Sequence, residues 1–137
     1  MRTVFIFPGG EMAATTTTLD RLFDGQAGYW TDSKLYINLE NERDGQLFAD
    51  WEPDDVRRLE ASLGSRPSWA LQVDISGRID GAAEIRNLAS CLLQEGGVAV
   101  DDYSDRCWTL HEIESALQVD GLGFFDFRTY HDRACDQ

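Results

Sequence analysis

Residues 67–76 read PSWALQVDIS, and their side chains alternate between apolar and polar. On an extended chain, one face would carry Trp69, Leu71, Val73 and Ile75. The opposite face would carry Gln72, Asp74 and Ser76. A period of two is typical of a β-strand that is buried on one face only. We therefore predict a strand here, with its apolar face on a core and its polar face directed away from that core.

Helical patterns flank this strand on both sides. Residues 53–63 begin with a proline, which suits the first helical position, and Gly64 marks the end of that pattern. After the strand, Asp80 precedes a second helical pattern that ends at Gly96-Gly97. Its apolar face would carry Ala82, Ile85, Leu88, Ala89 and Leu92. The region thus alternates helix, strand and helix at short spacing.

Further elements are predicted on either side of this region. Residues 3–7 are apolar on both faces, which indicates a central strand, and residues 34–40 alternate like a strand paired with Tyr29 and Trp30. We predict short strands at 46–51, 98–101 and 122–127. A short helix is expected to begin at Thr17. Thr109 and Glu112 fit a capping box for a helix that runs through Leu117.

These elements predict an α+β protein with a mixed, mainly antiparallel sheet and helices packed on one face. A ferredoxin-like sandwich is the favoured arrangement, and a mixed α/β sheet is the alternative. The length of 137 residues and the absence of a composition break indicate a single acidic domain over 1–137, with 128–137 as a polar tail that could fray.

The cysteines and the hydropathy indicate a cytoplasmic protein. No apolar run approaches the roughly 18 residues that span a bilayer, and the apolar run at residues 4–7 is too short for a signal peptide. Three cysteines, an odd number, do not form a disulfide framework. Cys91 falls on an apolar helical face, so we expect a buried free thiol there.

Negative charge dominates the composition and is unevenly distributed. The formal net charge is −13, which disfavours binding to nucleic acid or to anionic membranes and favours a basic partner. Residues 40–55 carry a net charge of −6 and residues 101–120 a net charge of −5. The remainder of the chain is therefore nearly neutral. Solubility alone would not require this segregation.

Aromatic residues lie inside both acidic stretches, and acidic rims around aromatic anchors are typical of protein interfaces. We therefore predict a partner-binding surface made of Glu40, Glu42, Asp44, Asp50, Glu52, Asp101, Asp102, Tyr103, Asp105 and Trp108. In the alternative interpretation, Trp51 and Trp108 are core residues and the acids around them belong to solvated loops.

Catalytic patterns are weak. Residues 8–11 (PGGE) follow a strand but lack a nucleotide-binding fingerprint. Cys107 with His111 and Asp105 is the one compact nucleophilic set, and Cys107, His111, His131 and Cys135 could together supply four zinc ligands. We therefore predict a protein without a catalytic residue, metal or cofactor. The alternative is a small cysteine- or zinc-dependent enzyme.

The acidic and aromatic stretches at 40–55 and 101–108, the latter within GGVAVDDYSDRCWT (residues 96–109), resemble in type the bacterial immunity proteins of interbacterial toxin systems. The resemblance implies a cytoplasmic, non-catalytic inhibitor that binds and neutralises a cognate toxin, often a basic nuclease. It also implies that an acidic surface blocks the toxin's substrate site or clamps the toxin outside that site. An adaptor subunit of a larger assembly is a further alternative.

Overall fold

A computed structural model describes residues 2–42 and 47–135, without the side chains of residues 134 and 135. This part of the chain contains six strands and five helices. The strands are β1 (Arg2–Pro8), β2 (Asp24–Gln26), β3 (Tyr29–Thr31), β4 (Leu35–Asn41), β5 (Trp69–Ile75) and β6 (Gly97–Asp101). The helices are α1 (Met12–Leu22), α2 (Pro53–Leu63), α3 (Ala82–Leu92), α4 (Leu110–Glu114) and α5 (Phe127–Cys135).

The strands form one antiparallel sheet in the order β2-β3-β4-β5-β1-β6. β1 lies between β5 and β6, which confirms the central position predicted for residues 3–7. Its residue Val4 is opposite Val73 of β5 on one side and opposite Asp101 of β6 on the other. The end of β6 therefore lies next to β1, on the side opposite to β5.

Two interleaved βαβ units make up the middle of the sheet. β5 lies between β1 and β4, and these two strands are connected through α1 and the β2–β3 hairpin. β1 lies between β5 and β6, and these two strands are connected through α3. This is the split βαβ connectivity of a ferredoxin-like sandwich. The α2 helix is inserted between β4 and β5, and the β2–β3 hairpin extends one edge. The predicted α+β class is confirmed.

The main core lies on the sheet face from which Val4, Leu71 and Val73 project. Helix α1 contributes Leu19 to this core, and α3 contributes the face that was predicted from its spacing, including Ile85 and Leu88. Thr109 begins α4 with the predicted capping box, in which its hydroxyl accepts from the backbone N–H of Glu112. These three helices follow the expectation of helices on one face.

The opposite face carries a second, smaller core beneath α2. Leu59 of α2 packs with Phe7, Ala70 and Val98, which project from three neighbouring strands, and with the segment 47–51. α2 is thus a cover for the face opposite to α1 and α3. It begins at Pro53 and ends with Gly64 in the left-handed conformation (φ 81°), as its sequence predicts.

Four features differ from the predictions. Residues 47–50 form a turn instead of a strand, because Leu47, Phe48 and Trp51 all face the second core; Gln46 lies outside the described residues. α1 begins at Met12 rather than Thr17, and Thr16, Thr17 and Thr18 within it donate to carbonyls about one turn earlier. α4 ends at Glu114. Cys91 is exposed, since it lies on α3 outside the buried spacing.

The C-terminal region also differs. Residues 122–127 form no strand, because the consecutive Phe124 and Phe125 are both buried and Phe125 has a positive φ of 55°. Asp126 then accepts from the backbone N–H of Thr129 and begins α5, where the sequence suggests a polar tail. None of the described helices has the length and apolar character needed to cross a membrane.

Candidate partner-binding site

The sheet face that α2 covers contains an open cavity of about 480 Å³. It lies between the first turn of α2 and the end of β6, with side chains of β1 and β5 beneath it. Phe5 and Trp51 supply rings, and Thr3 and Gln72 supply polar groups. The carboxylates that line it belong to Asp50, Asp55, Asp101, Asp102 and Asp105. We call it the acidic cavity. It brings together residues from both acidic stretches.

The rings of the acidic cavity belong to a packed aromatic cluster. The ring centroids of Phe5 and Trp51 are 5.3 Å apart with an interplanar angle of 72°. Trp51 makes similar edge contacts with Phe7, at 5.8 Å and 89°, and with Phe48, at 5.3 Å and 80°. Edge-to-face contacts of this kind are favourable beyond simple burial. The indole of Trp51 is therefore held in position by the rings of its neighbours.

The carboxylates differ in their partners. Asp55 pairs with Arg58 within α2 at 2.8 Å, and Arg58 is the one cation that lines the acidic cavity in the described part of the chain. Asp50, Asp102 and Asp105 are exposed. Desolvation raises the pKa of Asp102, and the neighbouring Asp74 carboxylate raises it further. The cavity is therefore a region of uncompensated negative charge.

A second concavity of about 390 Å³ adjoins the first. It shares Phe5, Asp50, Trp51 and Gln72 with the acidic cavity and adds Glu40 from β4. The concave surface therefore runs from β4 to the loop after β6. Glu40, Asp50, Asp102 and Asp105 all line it.

Trp108 and Asp101 do not have the surface positions that the sequence analysis assigns to them. Trp108 is fully buried at 0% exposure, and its backbone exchanges two 2.8 Å hydrogen bonds with Ala99 of β6. Asp101 is 4% exposed. It accepts hydrogen bonds from the backbone N–H groups of Tyr103 and Ser104 and, at 2.6 Å, from that of Phe125. Both residues hold the loop after β6 in place.

The other predicted binding residues are dispersed. Tyr103 packs on the far side of its loop against Phe125 and α5, with a centroid distance of 5.4 Å to Tyr130. Glu42 pairs with Arg66 at 2.9 Å. Glu52 is exposed at the N-cap of α2 and lines neither concavity. Asp44 lies outside the described residues.

Sequence reasoning missed Thr3, Phe5 and Gln72 as residues of this site. The signal was present, because the alternation of residues 67–76 already places Gln72 and Asp74 on the face away from the main core. The missing information was the pairing of β1 with β5 and β6. That pairing sets Phe5 between Gln72 on β5 and Val100 on β6.

The enzyme alternative depends on Cys107 and His111. Cys107 lines the acidic cavity, whereas His111 lines a different concavity beside Gly9 and Gly97. Burial raises the pKa of the Cys107 thiol, while a hydrogen bond with Ser62 acts in the opposite direction. Within residues 2–42 and 47–133, no three His, Cys, Asp or Glu side chains are grouped to hold a metal ion.

Thiol reactivity distinguishes a structural Cys107 from a nucleophilic Cys107 that is activated by His111. In a Cys135→Ser background, we expect iodoacetamide at pH 8 to alkylate exposed Cys91 at least tenfold faster than Cys107, because the thiolate is the nucleophile and a raised pKa reduces its fraction. Peptide mass spectrometry at timed intervals measures both rates. Replacing His111 by alanine should leave the Cys107 rate unchanged, whereas a clear slowing would support a Cys107–His111 catalytic pair.

No protein-family model, curated protein or solved structure matches this chain. The features of this chain that bear on function are therefore the acidic cavity, its rings and its charge.

Proposed function

We propose that this protein is a non-catalytic binding module, an immunity-type inhibitor that neutralises a basic toxin through its acidic concave surface. The observation that carries the proposal is the convergence of the two acidic stretches on one cavity. Asp50 comes from the first stretch, and Asp102 and Asp105 come from the second, 52 and 55 residues later in the chain. The fold places these carboxylates around shared aromatic rings.

Charge and shape favour different steps of such binding. A concave surface of one charge sign raises the rate at which an oppositely charged partner is captured. Aromatic side chains that lose water on contact then slow dissociation. The acidic cavity combines both, because Phe5 and Trp51 are partly buried beneath exposed carboxylates. Trp51 is therefore the anchoring aromatic residue in this proposal, in place of the buried Trp108.

A basic nuclease is the kind of partner that this surface fits best. Nuclease substrates are polyanions, so their binding sites carry Lys and Arg side chains directed at phosphates. An acidic concave surface presents comparable charge to those side chains. Occupation of the substrate site, or of a basic surface beside it, would inhibit the toxin without any chemistry by the inhibitor.

We expect the basic partner to be encoded beside the gene of this protein, and the first test is the rate at which the two proteins associate. The triple variant Asp50→Asn, Asp102→Asn, Asp105→Asn should associate at least tenfold more slowly at about 50 mM salt, because it lacks three charges of the steering field. Its rate should also depend less steeply on salt than that of the unmodified protein. Biolayer interferometry at several salt concentrations gives both values.

A control triple variant separates the position of charge from its amount. Glu11, Glu95 and Glu114 lie outside both concavities, and their replacement by glutamine removes the same three charges. We expect less than a threefold change in association rate for this variant. Equal slowing by the two triple variants would contradict the proposal, and so would unchanged survival of cells that express the partner together with the inhibitor.

A further inference from the structure

We propose that the acidic cavity receives a single arginine side chain of the partner, with the guanidinium placed over the rings of Phe5 and Trp51 and bonded to Asp102 and Asp105. This inference rests on the proposed function and adds to it the chemistry of the central contact. It makes the cavity a side-chain pocket within the larger interface. The concavity that contains Glu40 would then receive neighbouring parts of the partner.

The size and position of the acidic cavity suit a long side chain. Its volume of about 480 Å³ falls within the range of cavities that hold small ligands, about 300–1,000 Å³. Its rings are half-buried and the carboxylates of Asp102 and Asp105 are exposed, so a methylene stem could contact the rings while the charged end reaches the carboxylate oxygens. Arginine side chains bury their stems in this manner.

The same aromatic cluster already binds a guanidinium of this chain. The Arg66 guanidinium lies 5.0 Å from the centroid of Phe48, and the Phe48 ring packs on Trp51. Elsewhere, the Arg106 guanidinium lies 5.5 Å from the Trp108 ring. Trp51 and Phe5 are the rings of this cluster that line the acidic cavity. A partner's guanidinium over Trp51 would therefore repeat an interaction that the fold already uses.

Charge balance provides the second argument. Arg58, the one cation in the described lining, is paired with Asp55, and no cation pairs with Asp102 or Asp105 in the described part of the chain. Asp102 also lies close enough to Asp74 for their charges to interact. A guanidinium would relieve this repulsion. Its planar fork of five donors can serve carboxylates on several sides, whereas a lysine ammonium is a compact point charge.

An NMR titration of the ¹⁵N-labelled full chain tests the proposal with a defined probe, the peptide acetyl-Gly-Arg-Gly-amide. We expect saturable shifts of the Trp51 indole N–H and of the Asp102 backbone amide, with a Kd on the order of millimolar. The citrulline peptide, which has almost the same shape without the charge, should bind at least tenfold more weakly. The lysine peptide should bind more weakly than the arginine peptide.

Single substitutions locate the contact. Asp102→Asn should weaken binding of the arginine peptide at least fivefold, and Asp105→Asn provides a second, independent variant. Glu95→Gln, which removes one charge at the opposite end of β6, should leave the affinity unchanged. Each variant should keep the dispersed spectrum of the folded protein.

The outcomes separate this inference from the proposed function. Equal affinities for the arginine and citrulline peptides, or the absence of shifts at Trp51, would overturn the arginine pocket. Slower association of the Asp50, Asp102 and Asp105 triple variant with the basic partner would then still support the inhibitor. Loss of both results would overturn both proposals.

Discussion

Replacing Trp108 by alanine is expected to lower the free energy of unfolding by about 3–5 kcal/mol. The side chain is fully buried and contacts Phe124, with ring centroids 6.2 Å apart, and its indole N–H donates to Ser104 at 3.2 Å. Truncation would leave a cavity in the main core and an acceptor without its donor. Urea unfolding followed by circular dichroism measures the change.

Two matched variants test this interpretation. Leu22→Ala truncates an apolar side chain that is 51% exposed, and we expect a loss below about 1 kcal/mol. Trp108→Phe keeps a ring in the core and should have an intermediate effect. If Trp108→Ala kept its stability but lost affinity for the basic partner, Trp108 would be the surface anchor that the sequence analysis predicts.

Local patterns were sufficient for much of the fold. The alternation of residues 69–75 predicts the face of β5 that enters the main core, although α2 also covers Ala70 on the opposite face. The capping box at Thr109 satisfies two backbone groups within four residues. Pro53 and Gly64 likewise delimit α2 without distant partners. Elements of this kind were predicted to within a few residues.

Elements that depend on distant contacts were not predictable in this way. Residues 122–127 have the composition of a strand, but Phe124 and Phe125 are both buried, which an alternating strand on one core face does not allow. The turn there depends on a bond from the Phe125 N–H to Asp101, 24 residues earlier. Likewise, the segment 47–51 turns because its rings pack on Phe7 of β1.

The candidate site also combines features that local sequence predicts with features that depend on distant contacts. Charge segregation can be read directly from the sequence, but the meeting of Asp50, Asp102 and Asp105 in one cavity is visible only in the structure. The rings were assigned less well, since nothing in the sequence states that Ala99 bridges to residue 108 and turns that indole into the main core. The base of the acidic cavity required the order of strands β5, β1 and β6.

Replacing Asp101 by alanine is expected to lower the free energy of unfolding by about 3–4 kcal/mol. Its carboxylate accepts from the backbone N–H groups of Tyr103, Ser104 and Phe125, and alanine would leave these donors without an acceptor. A buried donor that loses its partner costs about 1–3 kcal/mol, and part of the loss is recovered where water can enter. Guanidinium unfolding monitored by tryptophan fluorescence measures the change.

The adjacent Asp102 is the natural control, because the two aspartates are indistinguishable in sequence. Asp102→Ala should change stability by less than about 1 kcal/mol, since the residue is exposed and no hydrogen bond holds it in the described structure. Asp101→Asn keeps the shape of the side chain but directs an amide N–H₂ at backbone donors, so it should still cost about 1–3 kcal/mol. Equal stability of Asp101→Asn and the unmodified protein would show that the carboxylate is not the required acceptor. Loss of stability at Asp101 together with loss of partner binding at Asp102 would show that burial, and not charge alone, decides which of the two aspartates stabilises the fold and which binds the partner.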